Sequence, residues 1–95
     1  MDQRQFYLSK IAEEALEVAT AAMKCIHFGN DSWGPNGVRN DDQLDLELHD
    51  LEGAIIAANR KGYILGLPRD ITKQLAKADK IDKYYKICQG IGTVE

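Results

Sequence analysis

The chain has 95 residues and a mass of 10.6 kDa, with 12 Lys and Arg against 15 Asp and Glu. That length fits a single helical domain over 1–95 built on one core, and the mild acidity disfavours bulk electrostatic attraction to nucleic acid or an anionic membrane. The 44% apolar content is that of a folding chain, yet only 7% of residues are aromatic, so self-association is expected to supply core that so small a chain lacks.

From Gln5 to Phe28 there is no Gly or Pro, and Leu8, Ile11, Ala12, Ala15, Ala19, Ala22, Met23 and Ile26 recur at helical spacing, which predicts one long helix stopped at Gly29-Asn30. Residues 29–42 hold three glycines, a proline and six Asn or Asp side chains, and read as a loop with almost nothing to bury. Leu44, Leu48, Leu51, Ile55 and Ala58 mark a second helix over about 42–61, with capping candidates in Asn40-Asp41-Asp42. Pro68 suits the first turn of a third helix, whose stripe is Ile71, Leu75, Ala78, Ile81, Tyr85 and Cys88. A loose tail is expected over 89–95. No strand pattern or repeat occurs, so the expected class is all-α, a bundle of three main helices per chain completed by oligomerisation.

The longest apolar run, Ala54 to Ala58, is far short of a membrane span, and the start MDQRQ lacks the apolar core of a secretion signal. A cytoplasmic protein without membrane or nucleic-acid partners is expected. Cys25 and Cys88 make no framework of bridges and no zinc-ligand pattern, so buried reduced thiols are expected.

Glu13, Glu14 and Glu17 crowd one arc of the first helix, either as a solvated face balanced by Lys10 and Lys24 or as ligands. On the second helix a wheel places Glu47 and Asp50 between two apolar stripes, facing inward, where ionised carboxylates need a cation or a lysine partner. Gly53, Ala54 and Ala57 along that face would leave space beside the acids. Two such pairs on facing helices could converge four hard oxygen donors on Mg²⁺ or Mn²⁺, an ion that commonly completes its octahedron with substrate phosphates.

Glu13-Glu14-Ala-Leu-Glu17 followed by Glu47-Leu-His-Asp50 resembles the EExxE and ExxD signature of the MazG-like, all-α nucleoside triphosphate pyrophosphohydrolases, over about residues 5–85, each half on its own predicted helix. The interval of 29 residues between Glu17 and Glu47 lies at the long end for that family, the extra length falling in the 29–42 loop. The resemblance implies hydrolysis of an NTP or dNTP to the monophosphate and pyrophosphate, with Mg²⁺ or Mn²⁺ held by Glu14, Glu17, Glu47 and Asp50. Glu13 would then be a second-layer or water-orienting base. Such ions neutralise the triphosphate and acidify a bound water for attack on the α-phosphorus. The resemblance also implies a homodimer or dimer of dimers with substrate pockets close to subunit contacts. Phosphoribosyl-ATP pyrophosphohydrolase is the alternative within the superfamily, and a phage-borne subset, the MazZ-like enzymes, acts on dGTP and GTP. From a different class, the alternative is a non-catalytic helical interaction module with solvated acids.

Residues 1–61 carry a net charge of −5 and residues 69–86 a net charge of +3, so the third helix is the cationic one. Lys73, Lys77, Lys80 and Tyr84 form a stripe there that would meet phosphates or remain solvated; Lys24 is a further candidate. Trp33, alone of its kind, would stack on a base or anchor the loop, and Asn30, Asn36 and Arg39 could read base edges. His27 and His49 lack partners at catalytic spacing and are assigned surface or packing roles.

Overall fold

The first helix starts two residues before the apolar spacing indicates, because Asp2 and Gln5 cap each other. The Gln5 N–H donates to Asp2 Oδ1 at 2.7 Å, and the Asp2 N–H donates to Gln5 Oε1 at 2.8 Å. The structure is a computed structural model and describes residues 1–66 and 69–95. Among these are three helices, α1 (Gln3–Phe28), α2 (Asn40–Arg60) and α3 (Ile71–Gly90), and no strand. The expected all-α class is therefore present. No helix among the described residues is long and apolar enough to cross a membrane. The chain divides into two compact units, Met1–Leu65 and Gly66–Glu95.

In the first unit α1 packs on α2 as an antiparallel hairpin. Its open end is fixed by aromatic contacts: the Tyr63 hydroxyl donates to Gln3 Oε1, the Tyr7 and Tyr63 rings lie 5.9 Å apart, and Lys61 Nζ sits 5.8 Å over Tyr7. Between the ends, the covered positions of α1 step through Tyr7, Ile11, Glu14, Val18, Ala21 and Cys25, and those of α2 through Asn40, Leu44, Glu47, Leu51, Ala54 and Ala58. Both series alternate steps of three and four, the seam of two helices packed nearly antiparallel.

The seam corrects the phase expected for α1. Ala12, Ala15, Ala19, Met23 and Ile26 are exposed, because alanine occurs all round this helix and blurs the apolar direction. Ala21 and Ala58 are its most buried apolar residues, at 4% and 0% exposure, and no large side chain among the described residues is fully enclosed. A methyl group contributes only about 0.8 kcal/mol when buried, so this hairpin holds a thin core.

The loop from Gly29 to Arg39 is fastened to the start of α2. Gly29 has φ +92, a conformation L side chains rarely adopt, and ends α1. The expected Asn and Asp side-chain cap of α2 is absent: the N-cap is Arg39, which makes no side-chain cap bond. Instead, the Asn40 N–H donates to the Ser32 carbonyl at 2.8 Å and the Asp41 N–H to the Asn30 carbonyl at 3.0 Å. Loop backbone thereby satisfies donors that a helix start otherwise leaves orphaned.

In the second unit, Asp70 caps α3 by accepting from the Thr72 and Lys73 N–H groups. The expected placement of Pro68 falls on residues 67 and 68, outside the described residues. Of the expected α3 stripe only Cys88 is buried; Ile71, Leu75, Ile81 and Tyr85 are exposed. The tail is fastened rather than loose: the Thr93 N–H donates to the Cys88 carbonyl at 2.9 Å, and Tyr85 Oη donates to the Glu95 carbonyl at 2.7 Å. Cys88 is a free thiol beneath this turn, and Cys25, also free, is half-buried.

Candidate metal centre and adjoining cavity

Glu14 and Glu47 occupy seam positions that an apolar residue would ordinarily take, and Asp50 follows Glu47 by just under one turn. As a result, a carboxylate oxygen from each of Glu14, Glu47 and Asp50 lies within 4.8 Å of the others. Glu14 and Glu47 are half-buried and Asp50 is exposed, so the expectation that both acids of α2 face inward holds for Glu47 only. Asp50 sits one position off the seam, at its rim.

Burial pushes the Glu14 carboxyl above the usual carboxylate range, and the nearby charges of Asp50, Glu47, Glu13 and Glu17 push it further the same way. The ion pairs of this unit lie elsewhere, joining Lys10 to Glu13, Arg39 to Asp41 and His49 to Asp45. No lysine of the unit takes up the partner role considered for Glu47 and Asp50. The polar contact to the cluster comes from Gln43, whose Nε2 donates to Glu47 Oε1 at 2.6 Å.

Two recesses flank the acids. On the open-end side, Phe6, Tyr7, Lys10, Glu14, His49, Asp50, Gly53, Ala54 and Ala57 line a groove of about 500 Å³. A Cβ built on Gly53 meets nothing within 4 Å, so the space expected beside the small residues is present. His49 borders this groove and is held on α2 by Asp45, whose backbone carbonyl lies 2.8 Å from Nδ1 and raises the imidazole pKa.

On the loop side, α1 contributes Glu17, Thr20, Ala21 and Lys24 to a cavity of about 290 Å³, the loop Gly34, Pro35, Asn36 and Val38, and α2 Asn40, Gln43 and Glu47. Glu47 thus belongs to both the acid cluster and the cavity wall.

Three of the four expected ligands come together. Glu17 is exposed and lines the cavity outside the three-acid cluster, while Glu13 is exposed and paired to Lys10 Nζ at 2.9 Å. Lys24 lines the cavity with Glu17 and Glu47. Trp33 forms an isolated antiparallel bridge with Arg39, is 68% exposed, and is not in the cavity wall. Arg39 spends its guanidinium on Asp41, through Nε at 3.1 Å and an Nη at 2.9 Å. Lys73, Lys77, Lys80 and Tyr84 are exposed on α3, in the second unit.

Sequence reasoning overlooked Gln43 and Asn40. The spacing of Gln43, four residues before Glu47, was a usable signal for the first. Asn40, four before Leu44 on the seam, looks in the sequence like a helix cap. No protein-family model, curated protein or solved structure matches the chain.

Proposed function

We propose that this protein is a metal-dependent nucleoside triphosphate pyrophosphohydrolase, converting an NTP or dNTP to the monophosphate and pyrophosphate. The observation that carries this reading is the convergence of Glu14, Glu47 and Asp50, without a cationic partner in their unit, at the middle of a packed seam. The residues fit a hard divalent cation. Oxygens in an Mg²⁺ octahedron are at most about 4.2 Å apart, so oxygens already within 4.8 Å need only small side-chain adjustments. All donors are carboxylate oxygens, which suit Mg²⁺ or Mn²⁺ rather than a softer metal. Bound there, such an ion would offset the triphosphate charge and lower the pKa of a coordinated water.

Glu13, released from Lys10, or Glu17, both exposed on α1, would orient that water and receive its proton. Lys24, in the cavity wall beside Glu17 and Glu47, would contact the substrate. In the reaction, water forms the new bond at the α-phosphorus, the bond from that phosphorus to the bridging oxygen breaks, and pyrophosphate leaves. A homodimer or dimer of dimers would cover Leu16, Ile26 and Phe28 of α1, which are 69%, 72% and 68% exposed. Phosphoribosyl-ATP would be taken by the same acids and is one arm of the test, as are dGTP and GTP, the substrates of the phage-borne subset.

Those exposed apolar residues equally favour the second reading, a non-catalytic helical interaction module. A panel of NTPs, dNTPs and phosphoribosyl-ATP with Mg²⁺ or Mn²⁺ separates the two. The hydrolase reading expects monophosphate and pyrophosphate in equal amounts, with labelled oxygen from water in the monophosphate. Stepwise release of orthophosphate, or no turnover of any member with either metal, rejects it.

A further inference from the structure

The cavity beside Glu47 carries a polar group that the hairpin leaves unfinished. Asn40 is 5% exposed, and its Nδ2 donates to the Gly29 carbonyl at 3.0 Å, which fixes the direction of the amide. Its Oδ1 accepts from no group of the unit. No fully enclosed side-chain polar atom lacks a partner among the described residues, so this oxygen keeps an opening. Asn40 lines the cavity, and a Cβ built on Gly34, across the same wall, would stand 3.9 Å from Asn40 Oδ1 and 3.2 Å from Asn36 Oδ1. Glycine at this point keeps the acceptors clear. A half-satisfied amide buried in a cavity wall calls for a ligand N–H.

A relay from the acid cluster fixes the neighbouring donors. An ionised carboxylate only accepts, so Gln43 turns its NH₂ to Glu47 and offers Oε1 to Asn36 Nδ2 at 3.1 Å; Asn36 Oδ1 then accepts from the Val38 N–H at 3.2 Å. Each NH₂ group in this relay keeps one hydrogen to give. The same cavity wall therefore carries an acceptor, Asn40 Oδ1, and the amide donors of Asn36 and Gln43. A nucleobase edge, with an N–H next to a carbonyl oxygen or ring nitrogen, is the planar complement of that pattern. The volume of about 290 Å³ is at the small end of ligand pockets, which run from roughly 300 Å³ upward, and suits one heterocycle rather than a whole nucleotide.

We propose that this cavity is the base-reading subsite, with Asn40 Oδ1 accepting an N–H from the base and the Asn36–Gln43 amides contacting the adjacent acceptor. The proposal rests on the pyrophosphohydrolase reading for its class of ligand. It makes Asn40 and Asn36, rather than Trp33 or Arg39, the residues that determine specificity.

Titration of the whole protein with nucleosides, which need no metal site, tests it directly. The probes are the four ribonucleosides and the four deoxyribonucleosides, their counterparts N-methylated at the donor edge, and ribose, with and without Mn²⁺. At least one nucleoside is expected to bind while ribose does not, and N-methylation should weaken binding by about tenfold or more, as expected where a buried acceptor is left unpaired. Asn40→Leu should do the same, whereas Asn40→Asp, which keeps an oxygen there but loses the bond to Gly29, should retain more affinity than Asn40→Leu. The methylated ligands use unaltered protein and decide the matter even if Asn40→Leu does not fold. Equal binding of methylated and unmodified nucleosides, or no nucleoside binding at all, overturns the proposal. Triphosphate turnover indifferent to these probes would sink the subsite and leave the hydrolase reading standing. Nucleoside binding as described without any turnover would do the reverse.

Discussion

The α1–α2 hairpin is closed by different chemistry at its two ends. At the open end Tyr7, Tyr63, Lys61 and Gln3 close it with side chains, through ring packing and one hydroxyl bond. At the loop end the backbone does the work: carbonyls of Asn30 and Ser32 receive the first N–H groups of α2, and the carbonyl of Gly29 receives the Asn40 amide. The acids lie between, in a layer without backbone hydrogen bonds to the carboxylates, whose polar contact is Gln43 on Glu47. Closure on both sides brings Glu14 up to Glu47 and Asp50 despite their repulsion, an arrangement that the proposed cation site would use.

The largest effect should come from breaking the middle layer and sparing both ends. Asp50→Asn and Glu47→Gln keep side-chain shape and remove one charge each, so turnover should fall by about a hundredfold or more through weaker metal binding and water activation. Circular dichroism should show the hairpin intact. Full activity in both variants would mean that the acids are not ligands.

Next in size are the ends themselves. Tyr63→Ala removes a ring pair and a hydroxyl bond and should cost about 1–3 kcal/mol, read as a lower unfolding midpoint. Gly29→Ala forces a side chain onto φ +92 with Asp31 Oδ1 only 3.3 Å from its Cβ, and should cost about 1–3 kcal/mol as well. The two differ in what else they change. Damage at the loop end should weaken nucleoside binding, whereas damage at the open end should leave it within about twofold. Equal loss in both would dissolve the distinction between the ends.

Of this arrangement, the existence and extent of the helices were legible, because long stretches without Gly or Pro carry an apolar period that only a helix satisfies. The phase of α1 was not: alanines at 12, 15, 19, 21 and 22 point in several directions, and the one that packs, Ala21, is distinguished only by its partner helix. The acid pattern was legible as two motifs, and Glu14 joining Glu47 and Asp50 follows from it. That Glu17 stands aside follows from the seam, which Glu14 occupies and Glu17 does not. The 29–42 segment, expected to have almost nothing to bury, buries Asn40. Asn40 is buried because an amide can bond a distant carbonyl, a long-range pairing that composition does not reveal.

A smaller effect should come from discharging the layer without metal. Glu14 has a folded pKa above the usual value, so the native state binds its proton more tightly than the unfolded chain does. Without metal, the Glu14 contribution to stability should therefore rise as pH falls from above the raised pKa toward the ordinary carboxyl range, and level off below it, against the opposite contribution of Asp41, whose pKa is lowered by Arg39. Glu14→Gln should remove that slope and raise the metal-free melting temperature near neutral pH. Divalent metal should stabilise the unaltered protein and not this variant. His49 has the same direction of shift but titrates nearer neutrality, where its contribution, present at lower pH, is lost as pH rises through its folded pKa. A pH profile of metal-free stability that Glu14→Gln leaves unchanged would show that neither burial nor its acidic neighbours perturb the Glu14 carboxyl.

The smallest effect is expected at the residue that composition makes most conspicuous. Trp33 pairs its backbone with Arg39 but leaves its ring 68% exposed, away from the cavity wall. Its loop is held by Gly29, Ser32 and Asn30 carbonyls and by the Asn36–Gln43 bond, none of which uses the indole. Trp33→Ala should therefore change the stability of the isolated chain by no more than about 0.5 kcal/mol, the usual range for an exposed site, and leave nucleoside affinity unchanged. If the ring instead packs against a second copy of the chain, the variant should shift the sedimentation profile toward smaller species at the same nucleoside affinity. A loss of nucleoside binding in Trp33→Ala, with Asn40→Leu still binding normally, would move base recognition from the cavity amides to the exposed indole and reverse the assignment of the loop end.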